Sequence, residues 1–218
     1  MERAVHTYHG ADVEVTYDVK RCIHVRECVK GLPNVFDADR RPWIRPDEAA
    51  TDAVTEVIER CPTGALHYER TDGGPAEAVP DAATVTVDTA GPLYLHGDVH
   101  LESPDGEDLL ADTRVALCRC GVSANKPLCD GSHHRVFTAP GTVPADGSGP
   151  DDDADPTGRL TVTPTRNGPL RVTGSYTLEG SERGARTRSG DTLCRCGGSS
   201  NKPFCDGTHA KIGFESED

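Results

Sequence analysis

CRCGVSANKPLCDGSH, residues 118–133, recurs as CRCGGSSNKPFCDGTH at residues 194–209. Both copies follow the spacing C-x-C-x8-C-x3-H. The candidate ligands are therefore Cys118, Cys120, Cys129 and His133, then Cys194, Cys196, Cys205 and His209. Residues i and i+2 of an extended segment point to one side, so Cys118 and Cys120 can bind one metal ion together. Residues i and i+4 share a face of a helical turn, which pairs Cys129 with His133. Two pairs suit two irons. A [2Fe-2S] cluster needs two protein ligands per iron, here two thiolates on one and a thiolate with an imidazole on the other. A structural zinc tetrahedron is the alternative, because three cysteines and a histidine also close around one ion; zinc sites, however, usually space their first pair C-x2-4-C. Buried, inert thiols are excluded by the repetition of four residue types at one spacing.

The self-similarity extends upstream of the cysteines. TVTVDTAGPLYLHGDVHLES from Thr84 matches TVTPTRNGPLRVTGSYTLEG from Thr161, and the register slips by one residue between the Gly-Pro-Leu turn and the cysteines. Alternating stretches such as Thr84 to Val87 and Leu93 to His96 read as hairpins around Gly91-Pro92 and Gly168-Pro169. Two such units, each too small to bury a face alone, are expected to pack on one another as a pseudo-symmetric pair. Between them lies APGTVPADGSGPDDDADPTG, which reads as a solvated loop.

These strings resemble the CDGSH iron-sulfur domain, the family that includes mitoNEET, at every motif position in both copies, with Thr208 in place of Ser in the second. The resemblance implies a [2Fe-2S] cluster in each site, held by the three Cys and one His named above. It also implies a β-rich fold normally completed by dimerisation, which tandem copies would supply within one chain. Asp130 and Asp206 stand where they could cap the short helix carrying each histidine. Gly131 and Gly207 allow close approach to the cluster. In the x8 loops Pro127 and Pro203 stiffen the chain, and Lys126 and Lys202 read as solvated cations or as partners for cluster charge.

Of nine cysteines, Cys22, Cys28 and Cys61 remain, the last followed by Pro62. This is the bacterial ferredoxin pattern C-x2-C-x2-C with a remote Cys-Pro, lacking its middle cysteine, where Val25 stands. Three cysteines can hold a [3Fe-4S] cluster, or a [4Fe-4S] cluster whose fourth iron has another ligand. His24 is the candidate for that role, one residue from the expected place; a histidine that is exposed or only lies beside the ligands is the equal alternative. RCIHVRECVKGLPNVFD, RRPWI and ERCPTGALHY, within residues 12–69, are similar to the divergent mono-cluster ferredoxin domain. Val13, Val15 and Tyr17 alternate with polar residues as a half-buried strand. A helix is expected from Pro46, with Asp47 and Glu48 in its first turn and Ala50, Val54, Val57 and Ile58 along one face. Ala65 to Tyr68 reads as a return strand, and Trp43 as core packing.

The expected fold is α+β: a small ferredoxin-like α+β domain followed by a β-rich tandem CDGSH pseudo-dimer. The organisation expected is a cluster domain over 1–72, a linker over 73–83, a first repeat over 84–138, an acidic loop over 139–158 and a second repeat over 159–218. At 218 residues and 35% hydrophobic, with aromatics at 5%, the chain has thin cores, and metal ligation is expected to help hold them. The net charge of −13, with no basic cluster, argues against nucleic acid as a partner. No apolar run approaches a membrane span and Met1 to Val13 lacks a signal-peptide core, so a cytoplasmic protein with reduced thiols is expected. No nucleophilic triad, phosphate loop or carboxylate pair is present. The expectation is a non-enzymatic electron carrier with two [2Fe-2S] clusters and one [3Fe-4S] or [4Fe-4S] cluster. It would work between a reductase and an acceptor enzyme, as a monomeric pseudo-dimer. A cluster sensor or donor is the alternative.

Overall fold

The computed structural model describes residues 4–144 and 155–216. The chain divides into two compact units, Met1–Ala78 and Val79–Asp218. The architecture is α+β and mostly strand, as the sequence implies.

In the first unit β1 (Val5–His9), β2 (Val13–Asp18) and β3 (Leu66–Arg70) form an antiparallel sheet with β2 in the centre. Val13 and Val15 of β2 point into the core, and β3 is the expected return strand. A short helix, α1 (Glu27–Gly31), follows the Cys22 loop; the longer α2 (Thr51–Glu59) buries Val54, Val57 and Ile58 against the sheet. The helix expected from Pro46 begins five residues later. Pro46–Glu48 forms a separate 3-10 turn, and Ala49 and Ala50 are extended. The cause is Asp47: its Oδ1 accepts the Ala11 N–H at 2.7 Å, which ties this turn to the β1–β2 connection instead of to the helix.

The second unit is one six-stranded sheet built by both repeats. The first contributes β4 (Thr84–Val87), β5 (Leu93–Glu102) and β6 (Asp108–Leu117); the second contributes β7 (Arg159–Pro164), β8 (Leu170–Gly180) and β9 (Ala185–Leu193). β5 pairs along one edge with β6. Its other edge is divided: residues 93–96 pair antiparallel with β4, and residues 98–101 pair parallel with β7. β8 repeats this arrangement with β9, β7 and β4. Each repeat's first strand is thus wedged between its own second strand and that of the other repeat, which closes the sheet into a barrel-like ring.

Gly97 and Gly174 mark the change of partner, at φ 140° and φ 104°. A β-carbon at Gly97 would lie 2.9 Å from Ala83 Cα, so a glycine is required there. Inward residues alternate across both repeats: Val85, Leu93, Leu95, Val99 and Leu101 meet Leu160, Leu170, Val172, Tyr176 and Leu178 in a single core. This common core is the expected pseudo-dimer. The one-residue slip lies in the hairpins, since Leu93 pairs with Leu117 but Leu170 with Leu193, across a shorter connection.

The segment read as a solvated loop is anchored at its start. Val143 is buried in the common core, and Val143 N–H donates to Arg183 O at 2.9 Å. Residues 145–154 of that segment lie outside the described residues.

Candidate metal centres

Each C-x-C lies directly after a strand, Cys118 after β6 and Cys194 after β9. The x8 loop then folds back: Cys118 N–H donates to Pro127 O at 2.9 Å and Cys129 N–H to Ala116 O at 2.9 Å. Cys194 and Cys205 make the equivalent bonds to Pro203 and Thr192, both at 2.8 Å. This returns the third cysteine to the side of the first, and α3 (His133–Val136) or α4 (Thr208–Lys211) presents the histidine.

The donors meet in pairs. Cys118 Sγ and Cys120 Sγ are 3.8 Å apart, as are Cys194 Sγ and Cys196 Sγ. His133 Nδ1 lies 3.2 Å from Cys129 Sγ, and His209 Nδ1 lies 3.4 Å from Cys205 Sγ. Such separations suit two ligands on one tetrahedral iron. Among the described residues no three His, Cys, Asp or Glu side chains close around a single ion. The grouping is pairwise.

The protonation chemistry also calls for a cation. The Cys120 thiol donates to Cys118, which pulls Cys118 down to about 6, while that same bond, burial and the Cys118 charge push Cys120 far up. Burial and the Cys196 thiol push Cys194 up to about 11, and burial pushes Cys129 up to about 12. Two bare thiolates side by side in a buried site are disfavoured, and a bound metal is what lets both ionise. Backbone N–H groups already face the sulfurs, Gly131 to Cys129 and Gly198 to Cys196 at 3.4 Å each. The donor set thus fits an iron-sulfur cluster.

The surrounding residues were only partly legible. Asp130 Oδ1 accepts the Ser132 N–H at 2.9 Å and Oδ2 the Ala124 N–H at 2.8 Å, so it braces the x8 loop as well as the turn before the helix. Asp206 does the same with Thr208 and Ser200. The lysines are not solvated cations alone. Lys126 Nζ donates to Ser123 O at 2.6 Å and lies 5.9 Å from the centre of the Phe214 ring, while Lys202 lies 6.0 Å from that of Phe137. Each lysine therefore reaches an aromatic ring of the other repeat.

The arginines between the paired cysteines escaped the sequence reading. Arg119 and Arg195 are fully buried; Arg119 donates to the carbonyls of Asp88, Gly91, Ala139 and Pro140, and Arg195 to those of Thr165 and Gly168. Ser123 and Ser199 likewise brace their loops, each donating to a backbone carbonyl at 2.7 Å. Their recurrence at one place in both copies was the available signal.

In the first unit Cys22, Cys28 and Cys61 line one cleft with His24, Val25, Tyr17 and Trp43. Cys28 comes from α1, and Cys61 follows α2. Burial, then the nearby Cys61 and Cys22 thiols, push Cys28 up to about 11. His24 is in this cleft, its Nδ1 3.8 Å from Cys22 Sγ, with a left-handed backbone at φ 60°; Arg26 follows at φ 70°. These strained residues flank Val25 and curl the loop around the site. Trp43 packs edge-on against Tyr17, centroids 4.8 Å apart, and so belongs both to the core and to the cleft wall. Three thiols on one cleft fit a cluster with a distinct iron for each.

Comparison with known proteins agrees with this geometry. Residues 8–71 match the model of a divergent 4Fe-4S mono-cluster, and residues 90–134 and 167–210 each match the iron-binding zinc finger CDGSH type. The chain thus carries a divergent 4Fe-4S mono-cluster domain followed by two CDGSH domains. Over 61 residues it is 41% identical to the uncharacterized protein YjdI of Escherichia coli strain K12, and equally to that of strain O157:H7. The match spans 28% of this chain and 80% of each relative. No solved structure matches the chain. The mono-cluster domain and the two CDGSH repeats are iron-sulfur cluster-binding domains. Among the described residues no helix is long and apolar enough to cross a membrane.

Proposed function

We propose that this protein is a multi-cluster electron carrier with a [2Fe-2S] cluster in each CDGSH repeat and a [3Fe-4S] or [4Fe-4S] cluster in the mono-cluster domain. Bound clusters would supply reversible one-electron chemistry; the protein residues set where and at what potential. The observation that carries the reading is the shared wall between the two paired sites. A β-carbon on Gly197 would lie 3.3 Å from Cys120 Cα, and one on Gly121 would lie 3.2 Å from Cys196 Cα. Ligand-bearing backbone of one repeat thus touches that of the other.

Cys118, Cys120, Cys129 and His133 hold the first of these clusters and Cys194, Cys196, Cys205 and His209 the second. Cys22, Cys28 and Cys61 hold the third, with His24 the candidate fourth ligand. Histidine ligation raises a cluster's potential above that of an all-cysteine site, as in Rieske centres. Where the mono-cluster site is held by its cysteines alone and so is the lower in potential, electrons run from a reductase through the mono-cluster domain to the CDGSH pair and on to an acceptor enzyme, in the cytoplasm. Iron and acid-labile sulfide analysis with EPR before and after dithionite reduction tests the cofactor content. Two reduced [2Fe-2S] signals with a third cluster support the reading, and zinc with little sulfide ends it. A redox titration with all clusters at one potential would remove the direction of flow.

One observation favours a second reading, a cluster donor: Cys205 and His209 are only half-buried, so one side of that site is reachable. Transfer of intact clusters to an apo-protein without supported electron flow would select it.

A further inference from the structure

The two CDGSH sites bury their donors unequally. Cys129 is 2% and His133 4% exposed, whereas Cys205 and His209 are partly open. The C-x-C thiols are equally buried in both sites, and the difference lies on the histidine side, where His134 packs on His133 with ring centroids 4.1 Å apart and the second repeat has Ala210; the segments that follow differ as well. In the first repeat Phe137 N–H bonds to His133 O four residues back, and the ring packs on Cys118 and Cys120 with Ala139 behind it. In the second repeat an extra residue, Gly213 at φ 64°, intervenes. Phe214 N–H reaches His209 O five residues back, and its ring stays half-exposed. The chain after Phe137 is also fastened, since the carbonyls of Ala139 and Pro140 accept from the buried Arg119; in the second repeat Arg195 donates to the Ser216 hydroxyl at 2.9 Å.

The sealed site is nevertheless in contact with the open one. Cys120-Gly121 and Cys196-Gly197 abut through their backbones, and Arg119 lies near enough to feel the thiols of both Cys120 and Cys194. We infer that external electrons enter and leave the CDGSH pair at the second site, beside His209, and that the first site is filled only through it, across the Cys196-Gly197 and Cys120-Gly121 contact. This rests on the electron-carrier reading. One electron from a one-electron donor protein reduces the second site and then moves to the first, which leaves the second oxidised again. No bond is made or broken.

Iron and sulfide analysis comes first, because absence of two [2Fe-2S] clusters per chain defeats the carrier reading and not this assignment alone. With both clusters present, the reduced full-length protein is examined by EPR with chromium(III) oxalate as a soluble relaxation agent. The expected result is that one [2Fe-2S] signal relaxes faster and the other does not respond, and that His209→Cys alters the responsive signal. Equal response of both, or alteration of the responsive signal by His133→Cys, would overturn the inference. Phe137→Ala should make the silent signal respond; an unchanged response would remove the seal. In stopped-flow reduction by reduced flavodoxin, Cys194→Ser/Cys196→Ser should slow reduction of the remaining first cluster at least tenfold. An unchanged rate contradicts the route, and the EPR result decides the matter if that variant fails to fold.

Discussion

The guanidinium of Arg119 lies 4.8 Å from the centre of the Phe137 ring, and that ring packs in turn on Cys118 and Cys120. Arg119 sits between Cys118 and Cys120, so extended geometry sends its side chain away from the sulfurs and into the protein. There it joins the turn of Asp88 and Gly91 to the segment of Ala139 and Pro140. Burial pulls its pKa down to about 10, which still leaves it charged at neutral pH.

Replacing Arg119 by Met should therefore be costly although no ligand is touched. Buried carbonyls lose their donors, at about 1–3 kcal/mol for each that finds no replacement. We expect a loss of roughly 3 kcal/mol or more in urea unfolding of the cluster-loaded protein. Arg119→Lys should recover only a minor part, because one ammonium cannot reproduce the planar fork. A lysine variant as stable as the parent would show that charge alone matters here.

Two kinds of glycine can be separated by alanine substitution. Gly197 and Gly207 both have left-handed backbones, at φ 77° and φ 81°. A β-carbon at Gly207 meets nothing within 4 Å, whereas one at Gly197 would lie 2.5 Å from Cys120 O. Gly207→Ala should cost only the conformational term, about 1–2 kcal/mol. Gly197→Ala carries that term plus a backbone collision across the two repeats, so its loss in chemical denaturation should be clearly larger. Equal losses would mean that the two cluster loops are not in contact.

The mono-cluster site should show its thiol chemistry once iron is removed. With Cys28 held up to about 11, its thiolate fraction at pH 8 is on the order of a thousandth. Iodoacetamide labelling of Cys28 in the folded apo-protein should be slow at pH 8 and rise about tenfold per pH unit towards pH 11. The folded pKa lies above the unfolded value of about 8.5, so the associated stability is present below pH 8.5 and is lost as pH rises towards 11. The apo-domain should melt at lower temperature at pH 10 than at pH 8. Mass-spectrometric labelling and thermal scans check both, and rapid labelling at pH 8 would place Cys28 outside the thiol cluster.

Most of the ligand geometry was legible because it is local. The i, i+2 pair is set by extended backbone, as expected, but Cys129 and His133 do not share a helical turn: α3 begins at His133, and the left-handed Gly131 at φ 84° turns the chain between them, so they meet at 3.2 Å by a tight turn instead. Strand extent was less legible. Alternation seemed to stop at His96 because Gly97 interrupts it, yet β5 runs on to Glu102 with a different partner. The parallel pairing of β4 with β8 joins residues more than ninety apart, and no local pattern encodes it. The helix start at Pro46 failed because a tertiary contact, Asp47 to Ala11, overrode a good local signal. The inequality of the two sites was hidden for another reason: Gly213 lies beyond the motif, where the copies no longer align.

A buried network in the second repeat concerns stability rather than chemistry. Asp191 and Arg188 form an ion pair with both side chains only 4% exposed, Arg188 Nη2 to Asp191 Oδ1 at 2.5 Å, and the Tyr176 hydroxyl donates to Asp191 Oδ2 at 2.5 Å. Burial first, then the Asp191 charge, pushes the Tyr176 hydroxyl well above its ordinary range, so it remains a donor at every accessible pH. The first repeat has Asp112 and Val115 at the corresponding distances from its cysteines. Asp191→Asn removes the carboxylate from a buried guanidinium and should cost about 3–5 kcal/mol. Tyr176→Phe removes one hydrogen bond to a charged group, at about 1.5–3 kcal/mol, and leaves the pair intact. Replacing Arg188 and Asp191 together by Met and Leu should cost less than Asp191→Asn, because no buried charge is left behind. Urea unfolding of the three variants checks the order. A double variant as unstable as Asp191→Asn would mean that packing of Arg188 on Phe204, 5.5 Å from its ring centre, carries the effect instead.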